Sequence, residues 1–405
     1  GDNVNIFFDG SSTLRYSSNV FRDEDDEVSD VMLVLSPGFE VSVGRGLSNL
    51  DLSVITRYDI VRYAEEDQLD TELFFIRAQG SYTSSRLDLS GSVFYKENKT
   101  STGDSQLQDI QDLIEFDDYG ARVDGEYRFS PKFSFGAGID YKEREFNTYE
   151  DRFADRETLR LPFDIFYEAT PKIDLSAGYI YTTTDVESTR REGVITDGFF
   201  IVPGDPNSFV ATEVSDITRG SYQFESHFFN IGARGNLLPK LTGFFKVGYR
   251  VRDTDDSTTT RVATPLSGSP FTTTSRTSRD DTGMLGLDAD LTWAATPKVT
   301  ARAGLSRDFG VGGEGEATEN TSVDLSATYA INGNWSASAR LGYTLRDYSD
   351  AVREDNQYSA GLRLSYVLNE FWRFGGGYSF VENDSNIDDR SYTNHMFDIS
   401  ASLRY

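Results

Sequence analysis

Charged side chains recur at alternate positions along segments whose intervening residues are apolar, and both signs are present in similar numbers. The cations are Arg57, Arg122, Arg128, Arg234, Arg250, Arg302, Arg340, Arg363 and Arg404; the anions include Asp51, Asp88, Asp124, Glu126, Asp164, Asp174, Asp288, Asp290, Asp324 and Asp398. A two-signed set of this kind suits the lining of a water-filled passage, or an internal brace of ion pairs, and any single pair is most simply a brace. Covalent catalysis finds little support. The two histidines, His227 and His395, lie in separate segments, away from any Ser/Asp pattern, glycine-rich phosphate loop or metal-ligand spacing. The expectation is therefore a protein without catalytic residues, cofactor or resident metal.

The segments that carry these charges are two-faced. Trp335, Ala337, Ala339, Leu341, Tyr343 and Leu345 alternate with Ser336, Ser338, Arg340, Gly342, Thr344 and Arg346, and the last residues do the same. Phe397, Ile399, Ala401, Leu403 and Tyr405 share one face of a closing strand, opposite Asp398, Ser400, Ser402 and Arg404. A period of two with one dry face is the pattern of a strand that meets lipid on one side and water on the other.

Connections between these segments fall into two kinds that alternate. Tight turns recur at Ser130-Pro-Lys-Phe133, Thr170-Pro-Lys-Ile173, Leu238-Pro-Lys-Leu241 and Thr296-Pro-Lys-Val299, with variants at Asn332-Gly-Asn-Trp335 and Leu368-Asn-Glu-Phe371. Proline presets φ there and withholds no needed ladder donor. Gly44 to Ser48 and Tyr82 to Arg86 complete a set of eight turns, and nine longer acidic or Ser/Thr-rich loops lie between them, including Gly310 to Glu319. Such regularity predicts an all-β chain of about 18 strands, closed as an antiparallel transmembrane barrel, with short periplasmic turns and long extracellular loops. A Greek-key sandwich would mix its connections. One domain spanning 1–405 is expected, its longest loops at 186–220 and 253–281.

Composition agrees with that architecture. The chain holds 29 Phe, 22 Tyr and 35 Gly but no Cys, so neither disulfides nor thiolate metal sites support the fold. No apolar run approaches the ~20 residues of a helical span. Phe133, Trp293, Trp335, Phe371 and Tyr405 stand beside the tight turns, as an interfacial girdle requires. A net charge of −27 makes nucleic acid an unsuitable partner. The excess acid lies in loops, for example Arg22-Asp-Glu-Asp-Asp-Glu27, Glu65-Glu-Asp67, Asp104 with Asp109, and Asp388 with Asp389. Most simply these are solvated runs; the sharper reading has them collect Ca²⁺ or Mg²⁺ and share the ions with lipopolysaccharide or an acidic glycan. No run has EF-hand spacing.

Two loops stand out. In 186–220, apolar clusters around Phe199, Phe200 and Phe209 flank Pro203-Gly-Asp-Pro206 and read as a small hairpin that could constrict the lumen, pack over the rim or meet a partner. Loop 253–281 is expected to extend the wall above the membrane.

The segments Tyr16-Ser-Ser-Asn-Val-Phe-Arg22 and Val28-Ser-Asp-Val-Met-Leu-Val-Leu-Ser-Pro-Gly38 resemble the opening of a family of outer-membrane β-barrel porins found at exopolysaccharide loci. The aromatic C-terminus, with Phe397, Ile399, Leu403 and Tyr405, looks like the signal read by barrel-assembly machinery. What the resemblance implies is a wide channel in the outer membrane of a Gram-negative-type bacterium. It would pass a polysaccharide outward beside secretion-system proteins, the signal peptide having been removed. General diffusion of small solutes is the alternative, and a surface anchor with adhesive loops the third.

Overall fold

The computed structural model describes residues 4–44, 49–102, 105, 110–194, 198–202, 205–265, 269–278, 281–349, 352–387 and 390–405, with side chains left undescribed at 190–216, 263–265 and 277. Eighteen strands form the wall. The first nine are β1 (Val4–Ser17), β2 (Asp30–Val43), β3 (Leu50–Tyr63), β4 (Thr71–Thr83), β5 (Leu87–Ser101), β6 (Leu113–Arg128), β7 (Phe133–Phe146), β8 (Arg156–Thr170) and β9 (Ile173–Val186). Three strands, β10 (Thr189–Val194), β11 (Gly198–Val202) and β12 (Asp205–Arg219), lie in the loop that follows. The wall resumes with β13 (Tyr222–Leu238) and β14 (Leu241–Thr254), and β15 (Ser257–Pro265) and β16 (Phe271–Thr277) fill the next long loop. It finishes with β17 (Thr282–Thr296), β18 (Val299–Val311), β19 (Ala317–Ala330), β20 (Trp335–Tyr348), β21 (Arg353–Val367), β22 (Trp372–Ser385) and β23 (Tyr392–Arg404).

Every strand pairs antiparallel with its neighbour, and β23 returns to β1 from Asp9↔Arg404 to Ser17↔Met396, so no edge is left open. Phe8 and Tyr405 extend that seam, each amide donating to the other's carbonyl at 2.8 and 2.9 Å. Carried once round the wall, the register returns to β1 displaced by about 22 residues, from position 9 to position 31. With strands ~4.8 Å apart and ~3.3 Å of rise per residue, that stagger gives a tilt of about 40° and a backbone radius of about 18 Å.

The ladders also fix which side chains face outward. Val4, Ile6, Phe8, Phe135, Ile139, Ile231, Leu341 and Leu362 are all exposed, and each belongs to the set that shares one face of the sheet. Aromatic residues mark both ends of this band: Tyr127 and Tyr119, Phe133 and Tyr141, Trp335 and Tyr343, and Tyr366 and Tyr358 each stand eight residues apart on one strand. At the tilt above that is about 20 Å along the axis, close to the height of an outer-membrane apolar band. The girdle at the loop end is mostly tyrosine, several of them bonded to outward carboxylates such as Glu97, Glu143 and Glu225.

The long loops extend the wall. Pairing of β9 with β13 at Val186↔Tyr222 runs in unchanged register into Thr189↔Arg219 of β10 and β12. Likewise Phe224↔Thr254 continues into Arg219↔Thr259 of β12 and β15, and Arg252↔Thr282 into Ser257↔Thr277 of β15 and β16. The hairpin expected around Pro203 exists as β11 paired with β12, Phe200 opposite Val210. The tight turn expected at 44–48 falls at residues 45–48 outside the described residues, as do Asp104, Asp109, Asp388 and Asp389. The loop expected over Gly310 to Glu319 is shorter, because β18 and β19 pair as far as Val311↔Ala317 and leave only 312–316.

Candidate functional site

Parity places Arg57, Arg122, Arg128, Arg234, Arg250, Arg302, Arg340, Arg363, Arg404, Asp51, Asp88, Asp124, Glu126, Asp164, Asp174, Asp288, Asp290, Asp324 and Asp398 on the face opposite the apolar band, the lumen side. They do not form one ring. Some join across the lumen and others stand apart.

One side of the lumen is bridged. Arg234 on β13 donates to both carboxylate oxygens of Glu126 on β6 at 2.7 Å and to Asp174 at 3.0 Å, its guanidinium lying 3.4 Å from the centre of the Phe166 ring. Lys246 on β14 donates to both oxygens of Asp164 on β8 at 2.8 and 2.9 Å. On a circular wall of this radius, strands four apart would be separated by about 20 Å, beyond the ~14 Å that an Arg–Glu pair can span. The cross-section is therefore flattened here. Inward glycines permit it: a Cβ on Gly178 would collide with the Asp164 carboxylate and with Asn230 Oδ1, and one on Gly248 with the backbone of Phe229. Below the bridges lies a cavity of about 1000 Å³ lined by Asp88, Arg122, Asp124, Arg160 and Asp288 together with the bridging residues.

The opposite side, β18 to β23, is open. Many of its inward residues are Gly and Ser, from Gly304, Ser326 and Ser338 to Gly377 and Ser400. Of its charged members, Arg302, Arg340, Arg363, Arg373 and Asp324 are exposed to water, whereas Asp398, Arg353 and Asp355 are largely covered. Arg363 pairs with Asp398 at 2.8 Å and also donates to Ser400. At the seam, Arg404 donates to Glu40 at 2.6 Å and lies 3.6 Å from Asp9, tying β23 to β1 and β2.

The mouth is crossed by a short strap that the sequence did not single out. Residues 312–316, between β18 and β19, reach one rim where Arg156 donates to Val311 O at 2.6 Å, Ala154 N to Gly313 O at 3.3 Å and Tyr222 Oη to Gly315 O at 2.9 Å. In another direction Glu314 accepts from Arg390, in the β22–β23 loop, at 3.1 Å, both side chains being about nine-tenths buried. Gly315 has φ of +84°, where side chains are strained, and a Cβ there would lie 2.9 Å from that of Ala154. Burial, then the nearby Glu314 charge, pushes the Glu316 carboxyl above the ordinary range.

Buried apolar clusters gather at this end: Ala154, Val186, Tyr222, Phe224, Met284 and Phe309 in one, Ile114, Phe146 and Phe153 in a second, and Phe21, Leu69 and Leu113 in a third. The Tyr16 to Arg22 motif serves this packing. Phe21 is buried, Asn19 donates to Asp23 O and Thr393 O, and Arg22 sits over the Tyr392 ring, so the first loop folds inward across the seam.

Other expected residues lie elsewhere. Phe397, Ile399, Leu403 and Tyr405 face outward. Both histidines face outward too, His227 bonded to Tyr179 at 2.8 Å and His395 to Tyr378 at 2.9 Å. Phe199, Phe200 and Phe209 have their backbones in β11 and β12, and their side chains lie outside those described.

The closed wall, the outward apolar band and the polar lumen are the properties of an outer-membrane barrel, and residues 274–405 match the model of a family described as "Putative beta-barrel porin 2". The chain is a porin-like outer-membrane β-barrel. The matched third contains the whole of the open wall, β18 to β23, together with β17. No curated protein matches the barrel's sequence. Similar solved structures include OpdK of Pseudomonas aeruginosa at 11% identity and TM-score 0.41, covering 99% of both chains. The ferric-catecholate import receptor Fiu of E. coli aligns at 9% identity and TM-score 0.44, covering 99% of this barrel and 82% of the receptor. OmpT of Vibrio cholerae aligns at 11% identity and TM-score 0.34, covering 100% and 99%.

Proposed function

We propose that this porin-like barrel acts as a conduit for hydrophilic polymer, with polysaccharide export across the outer membrane as the specific role. The observation that carries the reading is the asymmetry of the lumen: the β6–β14 side is spanned by ion pairs between non-adjacent strands, while the β18–β23 side offers a wall rich in Gly and Ser on which Arg302, Arg340, Arg373 and Asp324 are exposed to water. A long chain slides along small side chains without encountering pockets that would hold it, and hydroxyl and guanidinium groups replace the hydrogen bonds of its hydration. A strap over the mouth gives the conduit a closed state. The same strap supports a second reading, a diffusion porin restricted to small solutes. In either case the barrel stands as one domain in outer-membrane lipid and lipopolysaccharide, inserted by assembly machinery through its C-terminal strand. Export additionally calls on secretion-system proteins, and the acidic loops are the place for Ca²⁺ or Mg²⁺.

Two measurements test this. In planar bilayers the purified barrel gives stepwise ionic current, whereas a barrel serving only as an anchor gives none. A strain lacking the barrel retains glycan in the periplasm if export is the role; normal secretion from that strain, with intact conductance, points to the diffusion porin.

A further inference from the structure

We infer that the open wall is an anion path, recognised by Arg302 and Arg340, and that the cargo of the conduit is negatively charged. This rests on the channel reading above and adds the class of substrate. Arg302 on β18 and Arg340 on β20 both face Ser326 across β19, so one rung of the sheet carries two guanidiniums with a hydroxyl between them. Strand spacing puts their Cα atoms about 10 Å apart, and Arg363 follows one diagonal step further on. Each of these side chains is exposed to water. Among the described residues no carboxylate comes within ion-pair distance of Arg302 or Arg340, whereas the arginines on the other side of the lumen, Arg234 and Arg250, are paired at 2.7 and 2.8 Å. Asp324 lies diagonally between the two, Asp290 lies diagonally from Arg302 on β17, and together they offset part of the positive charge.

Bracing therefore does not account for them. Arg363, with Asp398, is what a brace on this wall looks like; Arg302 and Arg340 have the reach, the planar donors and the solvent access to bind a carboxylate or sulfate that comes past. Their height matters as well. Both sit in the half of the wall next to the tight turns Thr296 to Val299 and Ile331 to Trp335, while the unbalanced carboxylates collect in the loops at the other end. On this wall an anion entering from the turn side meets Arg302 and Arg340 in the turn half, whereas Asp51, Asp88 and Asp174 at the same end belong to other strands of the lumen.

The test is the reversal potential of the full-length barrel in a planar bilayer under a KCl gradient, with oligogalacturonate added afterwards to the turn side. The expected result is a preference for Cl⁻ over K⁺, reduced at least threefold in R302Q/R340Q, retained in R302K/R340K and increased in D324N. Block by oligogalacturonate should weaken about tenfold in R302Q/R340Q. A conducting barrel that prefers K⁺, or whose ion preference is the same in R302Q/R340Q as in the native chain, overturns the inference and leaves the channel intact. Absence of conductance in both the native barrel and a strap-released R390A variant overturns the channel reading itself.

Discussion

Replacing Arg390 by Ala should open the mouth. Glu314 is nine-tenths buried and accepts from Arg390 at 3.1 Å, so the substitution removes one charge partner from a carboxylate that water barely reaches. Breaking a buried pair on one side costs about 3–5 kcal/mol, and lifting Glu314 into solvent relieves that cost. Taking the lower figure, the ratio of released to seated strap rises by roughly two orders of magnitude. The remaining ties, from Arg156, Ala154 and Tyr222, hold the other rim and keep the barrel wall unaffected. Single-channel recording reads the effect as longer and more frequent open events at unchanged barrel stability in a heat-dissociation gel. Glu314→Ala should act in the same direction. The double variant R390A/E314A should recover part of the closed population, because neither half of the broken pair then remains buried. Identical open probabilities in the native and R390A barrels would refute the reasoning, and so would a double variant more open than the sum of the two single effects.

Acidification should close the mouth. Glu316 titrates above the ordinary carboxyl range when the strap is seated, so the seated state binds more protons than the released one between those two values. Stability of the seated strap therefore rises as pH falls through the raised value toward about 4.5, and is reduced at higher pH. Open probability measured from pH 7.5 to 5 should fall, and E316Q should remove the dependence. On the wall, Leu362 lies midway between Tyr358 and Tyr366 and is 62% exposed, so Leu362→Arg should destabilise the inserted barrel by about 2–4 kcal/mol in a folding titration, while Thr328→Arg on the lumen side should change it by less than about 1 kcal/mol. Lys246→Ala strands Asp164 in the bridged side; a loss of about 2–3 kcal/mol is expected by the same titration, and Lys246→Ala/Asp164→Ala should cost less than the single change.

How much of this was legible beforehand depends on the range of the interactions involved. Strand number, the two faces and the turn–loop alternation follow from period-two patterning and proline turns, which are local, and Trp335 to Leu345 or Phe397 to Tyr405 display them residue by residue. The inward set of arginines and aspartates was readable for the same reason. Partners were not readable. Arg234 finds Glu126 four strands away only because the section is flattened, and that depends on Gly178 and Gly248 flanking Asn230 on one rung with Gly232 diagonal to both, a relation visible only in the folded register. The strap was missed because length drew attention to 186–220. Five residues suffice for it, and the signal present was glycine content: Gly310, Gly312, Gly313 and Gly315 around two glutamates. The wide Tyr girdle at the loop end was also unmarked by any motif. It arises from tyrosines that each look isolated in sequence and align only through the stagger.

Because the ladders of β9, β13, β14 and β17 continue in register into the first pairs of β10, β12, β15 and β16, the rim is not level. The fourteen steps from Arg219 to Asp205 make β12 about 46 Å long, well beyond the end of the wall strands beside it. Material leaving the mouth meets a lip on that side and open surroundings on the other, where the acidic β1–β2 and β3–β4 loops lie. For the polymer export proposed above, such an exit would act as a spout, screening one flank of the emerging chain and leaving the other open.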